Sequence, residues 1–139
     1  MPTTIEKARE DLREGKSPTT AAGEFVHEEI EHVREGKHGA RSPRQAIAIG
    51  LNEARRAGVP LPPPRRGRTS EKTRKSAERA YKKGRSGSKK TNRRRSRARE
   101  RALKREPQST ASHRALSRQA RTGWRRRRAA RAADRRSQI

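Results

Sequence analysis

The sequence contains no cysteine, which rules out disulfides and thiolate metal ligands together. Aromatic residues are nearly absent, with one Phe, one Tyr and one Trp in 139 residues, and only 26% of the chain is hydrophobic. Ordering a backbone costs roughly 1–2 kcal/mol per residue, and so few apolar side chains cannot offset that along the whole length. A large self-sufficient globule is excluded; chains of this composition stay expanded or fold on a partner. No run of 18 apolar residues occurs, so no membrane span is expected and membranes are not an expected partner. The opening stretch MPTTIEKAREDLREGK lacks the apolar core of a secretory signal. An intracellular protein is the expectation.

Catalytic patterns are missing too. There is no Gly-rich phosphate loop with a lysine and no Gly-x-Ser-x-Gly elbow, and a core this small leaves little room for a pocket. The chain is expected not to be an enzyme and to carry no cofactor. The segment GEFVHEEIEH invites a metal search. His27 and His32 are five apart, about 140° round a helix, whereas a zinc-protease helix needs histidines four apart on one face. The pairs Glu24/His27 and Glu29/His32 have di-iron spacing but share one helix. No metal is expected there, only an acidic face that docks against a basic tail.

Charge is what the sequence has in excess. Charged residues make up 40% of it, and the net charge is +25. Residues 1–62 hold ten acids and ten bases, whereas residues 63–139 hold five acids and thirty bases. All the surplus therefore sits in the second half, which should repel itself until a polyanion neutralises it.

Local signals place three helices before that half. Thr3 caps the first, over 4–14, with Glu6 completing a capping box and Gly15 closing it. Ser17-Pro18 and Ser42-Pro43 open helices over 18–35 and 43–57, closed by Gly36 and Gly58. The apolar stripes are Ile5, Ala8, Leu12; Ala22, Phe25, Val26, Ile30, Val33; and Ala46, Ile47, Gly50, Leu51, Ala54. VPLPPPRRGR, residues 59–68, reads as a semi-stiff polyproline spacer. Beyond it, 70–83, 92–105 and 110–135 are helix-compatible basic stretches, with GRSGSKKT (84–91) as a hinge and Gly123 as a break. The expected fold is all-α. A small marginal helical head (1–58) of two to three helices precedes an extended, Arg-rich, conditionally helical or disordered tail (69–139).

Guanidinium forks pair with phosphate oxygens, so the tail is read as a nucleic-acid-binding segment. The residues assigned to it are Arg65, Arg66, Arg68, Lys72, Arg74, Lys75, Lys82, Lys83, Lys89, Lys90, Arg93, Arg94, Arg95, Arg97, Arg99, Arg118, Arg121, Trp124, Arg125, Arg126, Arg127 and Arg128. The arginine bursts spread round the helix circumference, which suits a groove flanked by phosphates. Trp124 either stacks on a base or wedges into a groove, or it anchors the tail on the head. Few aromatics tilt the choice toward duplex DNA or structured RNA over single strands; duplex DNA is favoured, with an RNA- or ribosome-associated basic protein as the alternative. Residues 18–58 are the candidate surface for a homodimer or a protein partner, and an adaptor with a localising basic tail is a further alternative.

The stretch GEFVHEEIEHVREGKHGARSPRQAIAIGLNEARRAGVPLP is similar to a family of small bacterial proteins classified only as a domain of unknown function. Its core, PRQAIAIGLNEARRAG from Pro43 to Gly58, carries the resemblance, which covers about residues 20–62. The resemblance transfers no functional residues. It implies a bacterial cytoplasmic setting, with the nucleoid as the expected location.

Overall fold

The computed structural model describes residues 1–86 and 92–138. Its elements are α1 (Thr4–Arg13), α2 (Pro18–Arg34), α3 (Pro43–Arg56), α4 (Glu71–Ser86), α5 (Arg93–Lys104), a 3-10 turn (Ser109–Ala111) and α6 (His113–Ser137). The fold is all-α, with no strand among the described residues. The helix starts follow the capping signals. Thr3 Oγ1 accepts from the Glu6 amide at 3.2 Å, and Glu6 answers at the Thr3 amide at 2.7 Å. Ser17 and Ser42 cap α2 and α3, each followed by proline in the first turn. Gly15, Gly36 and Gly58 take φ near +80 to +98° where the three helices stop, a backbone conformation that favours glycine.

Helices α1, α2 and α3 pack in sequence, and α4 packs on α3. The first cluster of the core gathers Ala8, Ala21, Ala22, Phe25, Ala54 and Val59, with Leu12, Leu51 and Leu61 against it. Ile5, expected inside, is 41% exposed. The α2–α3 crossing is close because residue 50 is glycine: a Cβ there would lie 2.6 Å from Val26 Cα.

The proline-rich segment is not the plain spacer expected. Val59 is buried in the core. The buried Arg55 guanidinium donates to the Leu61 carbonyl (3.1 Å), the Pro62 carbonyl (3.2 Å) and Asn52 Oδ1 (2.9 Å). Prolines supply no amide of their own, so a guanidinium that collects carbonyls is a fitting way to hold them.

The compact part also takes in residues that lie beyond that segment. Helix α4 buries Ala77 and Ala80, and a Cβ at Gly84 would sit 1.8 Å from the Arg55 carbonyl oxygen. Residues 103–111 return to the α2–α3 turn. The Gly39 amide donates to Leu103 (2.8 Å), and the Ala40 amide to Pro107 (2.9 Å). Thr110 Oγ1 donates to the Ala40 carbonyl (2.9 Å), Arg34 Nε to Ala111 (2.9 Å), and Gln108 to the Arg34 carbonyl. A second apolar cluster of Val33, Ala40, Ala46 and Ala111 lies beneath this clasp. The expected head–tail division at 59–68 is thus crossed by packing, and the helices outnumber the two or three expected for the head. Of the expected hinge, residues 84–86 belong to α4, and 87–91 lie outside the described residues.

Candidate nucleic-acid interface

Helix α6 is 25 residues long, about 37 Å at 1.5 Å per residue. Gly123 does not break it; the Ala and Arg on either side favour helix enough to carry one glycine. At 100° per residue, Arg114, Arg118, Arg121, Arg125, Arg128, Arg135 and Arg136 share an arc of about 100°, and all are exposed. This adds to the expectation that the bursts spread arginines round the circumference. The burst at 125–128 does circle the helix, but the longer pattern has one dominant face. Arg126, Arg127 and Arg131 lie off the arc. Arg114, Arg135 and Arg136 were missed by reading the bursts; the recurrent three-and-four spacing across Gly123 was the signal that located them.

Trp124 is 54% exposed and lies beside this arc, with the Arg128 guanidinium 5.1 Å from its ring centroid. It does not anchor α6 on the rest of the fold. Near the start of α6, Ala115 and Leu116 are half-buried.

Helix α5 buries no residue, and Arg93, Arg94, Arg95, Arg97 and Arg99 are all exposed. Between α3, α4 and α5 lies a cleft of about 200 Å³ whose lining includes Gln45, Asn52, Arg56, Ser76 and Arg99. Partial burial and then the like charge of Arg99 push the Arg56 guanidinium below its ordinary value. Two cations in one cleft are placed for an anion between them.

The sites on α4 divide. Arg74 is paired with Glu71 (2.9 Å) and Glu78 (3.3 Å), and Lys82 with Glu78 (3.0 Å). Lys72 and Lys75 are exposed and Lys83 is half-covered. Arg65, Arg66 and Arg68 are exposed in the segment before α4. Lys89 and Lys90 lie outside the described residues.

Among the described residues, no ion pair joins the acidic side of α2 to the tail. Glu28, Glu29, Glu31 and Glu35 pair with His32, Arg34, Lys37 and His38, all close in sequence. One group here is unusual. Glu29 has 2% side-chain exposure, with His38 Nε2 at 2.7 Å from Oε1 and His32 Nδ1 at 3.8 Å from Oε2. The Glu53 carboxyl faces it from α3 and is pushed up to about 7, by burial first, then by the charge of Glu29 and a hydrogen bond to it, with Arg56 opposing.

Residues 15–66 match the model of a family of unknown function, DUF6496. The DUF6496 stretch comprises α2, α3 and the docked prolines, somewhat wider than the 20–62 expected from the sequence. It excludes α1 and everything from α4 onward. No curated protein and no solved structure matches the chain.

Proposed function

We propose that this protein binds nucleic acid through phosphate contacts, duplex DNA first, without reading sequence. The single observation that carries this reading is the α6 arc of seven exposed arginines on a helix whose one acid is Asp134. Arginine forks match phosphate oxygens, and a rigid row presents them in register along a backbone. Base readout needs a few Arg, Asn or Gln side chains held rigidly against base edges, and the arc carries neither Asn nor Gln. The supporting features are the uncommitted cations of α5 and the Arg56–Arg99 cleft. Neutralisation by phosphates relieves the repulsion between neighbouring arginines, so α5 and α6 gain helical stability on binding. The DUF6496 stretch then serves as the platform that carries both helices, and the nucleoid is the corresponding location.

The test compares two variants of equal charge in the full chain. One replaces Arg118, Arg121 and Arg125 by Gln; the other replaces Arg126, Arg127 and Arg131 by Gln. Binding to scrambled-sequence duplexes is measured across salt concentrations. Seven phosphate contacts give a log–log salt slope near −6, and the on-arc triple reduces its magnitude by about 3. The off-arc triple changes it by less than 1. Equal losses in the two variants would remove the arc from the mechanism, and the absence of binding at low salt would remove the function. A structured RNA that outcompetes duplex DNA would transfer the same chemistry to RNA.

A further inference from the structure

We propose that Glu29, His32 and His38 form a binding site for a divalent transition metal of the zinc class. One ligand atom from each lies within 4.8 Å of the others, and the chemistry of the three is that of a His-His-carboxylate set. The site joins the last turns of α2 to the turn that follows it.

Local backbone geometry brings the third ligand in. After Arg34 the chain leaves α2 by a double reversal: the Gly36 amide donates to Val33 (3.1 Å) and the Lys37 amide to His32 (3.0 Å). Gly36 takes φ +79° to allow it. His38 is thereby folded back over the helix end toward Glu29. Its Nδ1 lies 2.9 Å from the Gly39 carbonyl oxygen. A carbonyl accepts only, so Nδ1 carries the proton there, and in the neutral ring Nε2 presents its lone pair. Nε2 lies 2.7 Å from Glu29 Oε1, a contact that needs either a proton on Nε2 or a cation shared by the two atoms.

The carboxylate supplies the independent observation. Glu29 Oε1 is buried and accepts no hydrogen bond, although His38 Nε2 lies 2.7 Å away. A buried ionised oxygen left in this way is costly. Glu28 Oε1 lies 3.6 Å from His32 Nε2, while Glu29 Oε2 lies 3.8 Å from its Nδ1. Carbonyl and carboxylate partners behind metal-binding imidazoles fix tautomer and direction in this way. The two rings meet edge to face at 75°, converging on Glu29.

The role of the metal is structural. It ties the α2 end to the turn whose next two residues, Gly39 and Ala40, hold residues 103–111. The bound cation therefore stiffens the platform from which α5 and α6 depart. The competing account is a metal-free imidazolium of His38 that serves as counter-ion to Glu29.

The experiment titrates the chelator-stripped full chain with zinc chloride and, in parallel, with cobalt chloride followed by its visible spectrum. Expected are one ion per chain, a cobalt spectrum of low-symmetry four-coordination and a melting temperature raised by several degrees in zinc. His38→Gln and Glu29→Gln each weaken binding by about 100-fold, whereas His27→Gln and His113→Gln leave it unchanged. His32→Gln, at a partly exposed position, reports the same loss in a variant whose helical circular dichroism matches the parent. Overturning results are an absence of binding at 100-micromolar zinc (about −5.5 kcal/mol), or binding that survives His38→Gln or passes to the His27 or His113 variants.

Discussion

Gly39→Ala tests whether residues 103–111 are held on the α2–α3 turn as described. Its backbone is not in the left-handed region, so the substitution acts through space alone. The added Cβ would meet the Glu106 carbonyl oxygen at 1.7 Å, its carbon at 2.3 Å and the Pro107 oxygen at 2.9 Å. All three are backbone atoms, so no side chain can swing aside. The segment must lift, and lifting breaks the Gly39–Leu103 and Ala40–Pro107 bonds together with those made by Arg34, Gln108 and Thr110. At a net ~0.5–1.5 kcal/mol each, the lost docking free energy is about 3–6 kcal/mol. Hydrogen exchange read by mass spectrometry is the assay. Exchange of the amides at 39 and 40 should accelerate by at least about 100-fold, since each 1.4 kcal/mol is a factor of ten. Amides around Phe25 and Ala54, which lie in the other cluster, should change little. If the peptide spanning 36–42 exchanges as slowly in the variant as in the parent, the clasp is wrong.

Three further substitutions probe the platform. Gly50→Ala places a Cβ 2.6 Å from Val26 Cα and 3.1 Å from the Phe25 carbonyl oxygen, forcing α2 and α3 apart; urea denaturation should show a loss of about 2–3 kcal/mol. Arg55→Met keeps most of the buried stem but leaves the Leu61 and Pro62 carbonyls without their donor. A loss of about 2 kcal/mol and faster proteolysis near residue 62 are expected. Glu53→Gln should stabilise the chelator-treated protein above neutral pH. The carboxyl is raised to about 7 in the fold from 4.5, so the stability it gives is full below 4.5 and is lost as pH rises through 7. The variant should gain about 1–2 kcal/mol over the parent at pH 8, after discount for its partial solvent contact, and nothing at pH 4; equal stability at pH 8 would refute the assignment.

The parts of the fold legible in the sequence are those written in neighbouring residues. Ser17-Pro18, Ser42-Pro43, the Thr3 capping box and the closing glycines place helix ends within a residue or two, because a cap is a local hydrogen bond. The return of residues 103–111 leaves no such trace. It is made by backbone carbonyls and by side chains with nothing to distinguish them, and it needs only that residues 39, 40 and 111 be small. The docking of Val59 and Leu61 was hidden by their prolines, which read as a spacer unless the buried Arg55 is known. Likewise the Glu29 cluster escaped because its third member, His38, lies beyond the helix, where helical spacing says nothing. The arginine arc was legible in principle: it follows from spacing once Gly123 is granted to the helix.

The mode of attachment bears on function. Among the described residues, no ion pair joins the charge-balanced part before residue 63 to the cationic part after it. Residues 103–111 are held instead by carbonyl hydrogen bonds and small apolar side chains, and α4 by Ala77, Ala80 and Gly84. Among the described residues, the acids of α2 meet only His32, Arg34, Lys37 and His38, and none of them pairs with an arginine of α5 or α6. Salt screens exposed charges over about 8–10 Å near physiological strength, but it affects uncharged hydrogen bonds and apolar contacts little. Raising salt should therefore release nucleic acid while the clasp at Gly39 and Ala40 stays closed. A protein whose tail was stored on its own acidic helix would behave in the opposite sense, opening as salt rises.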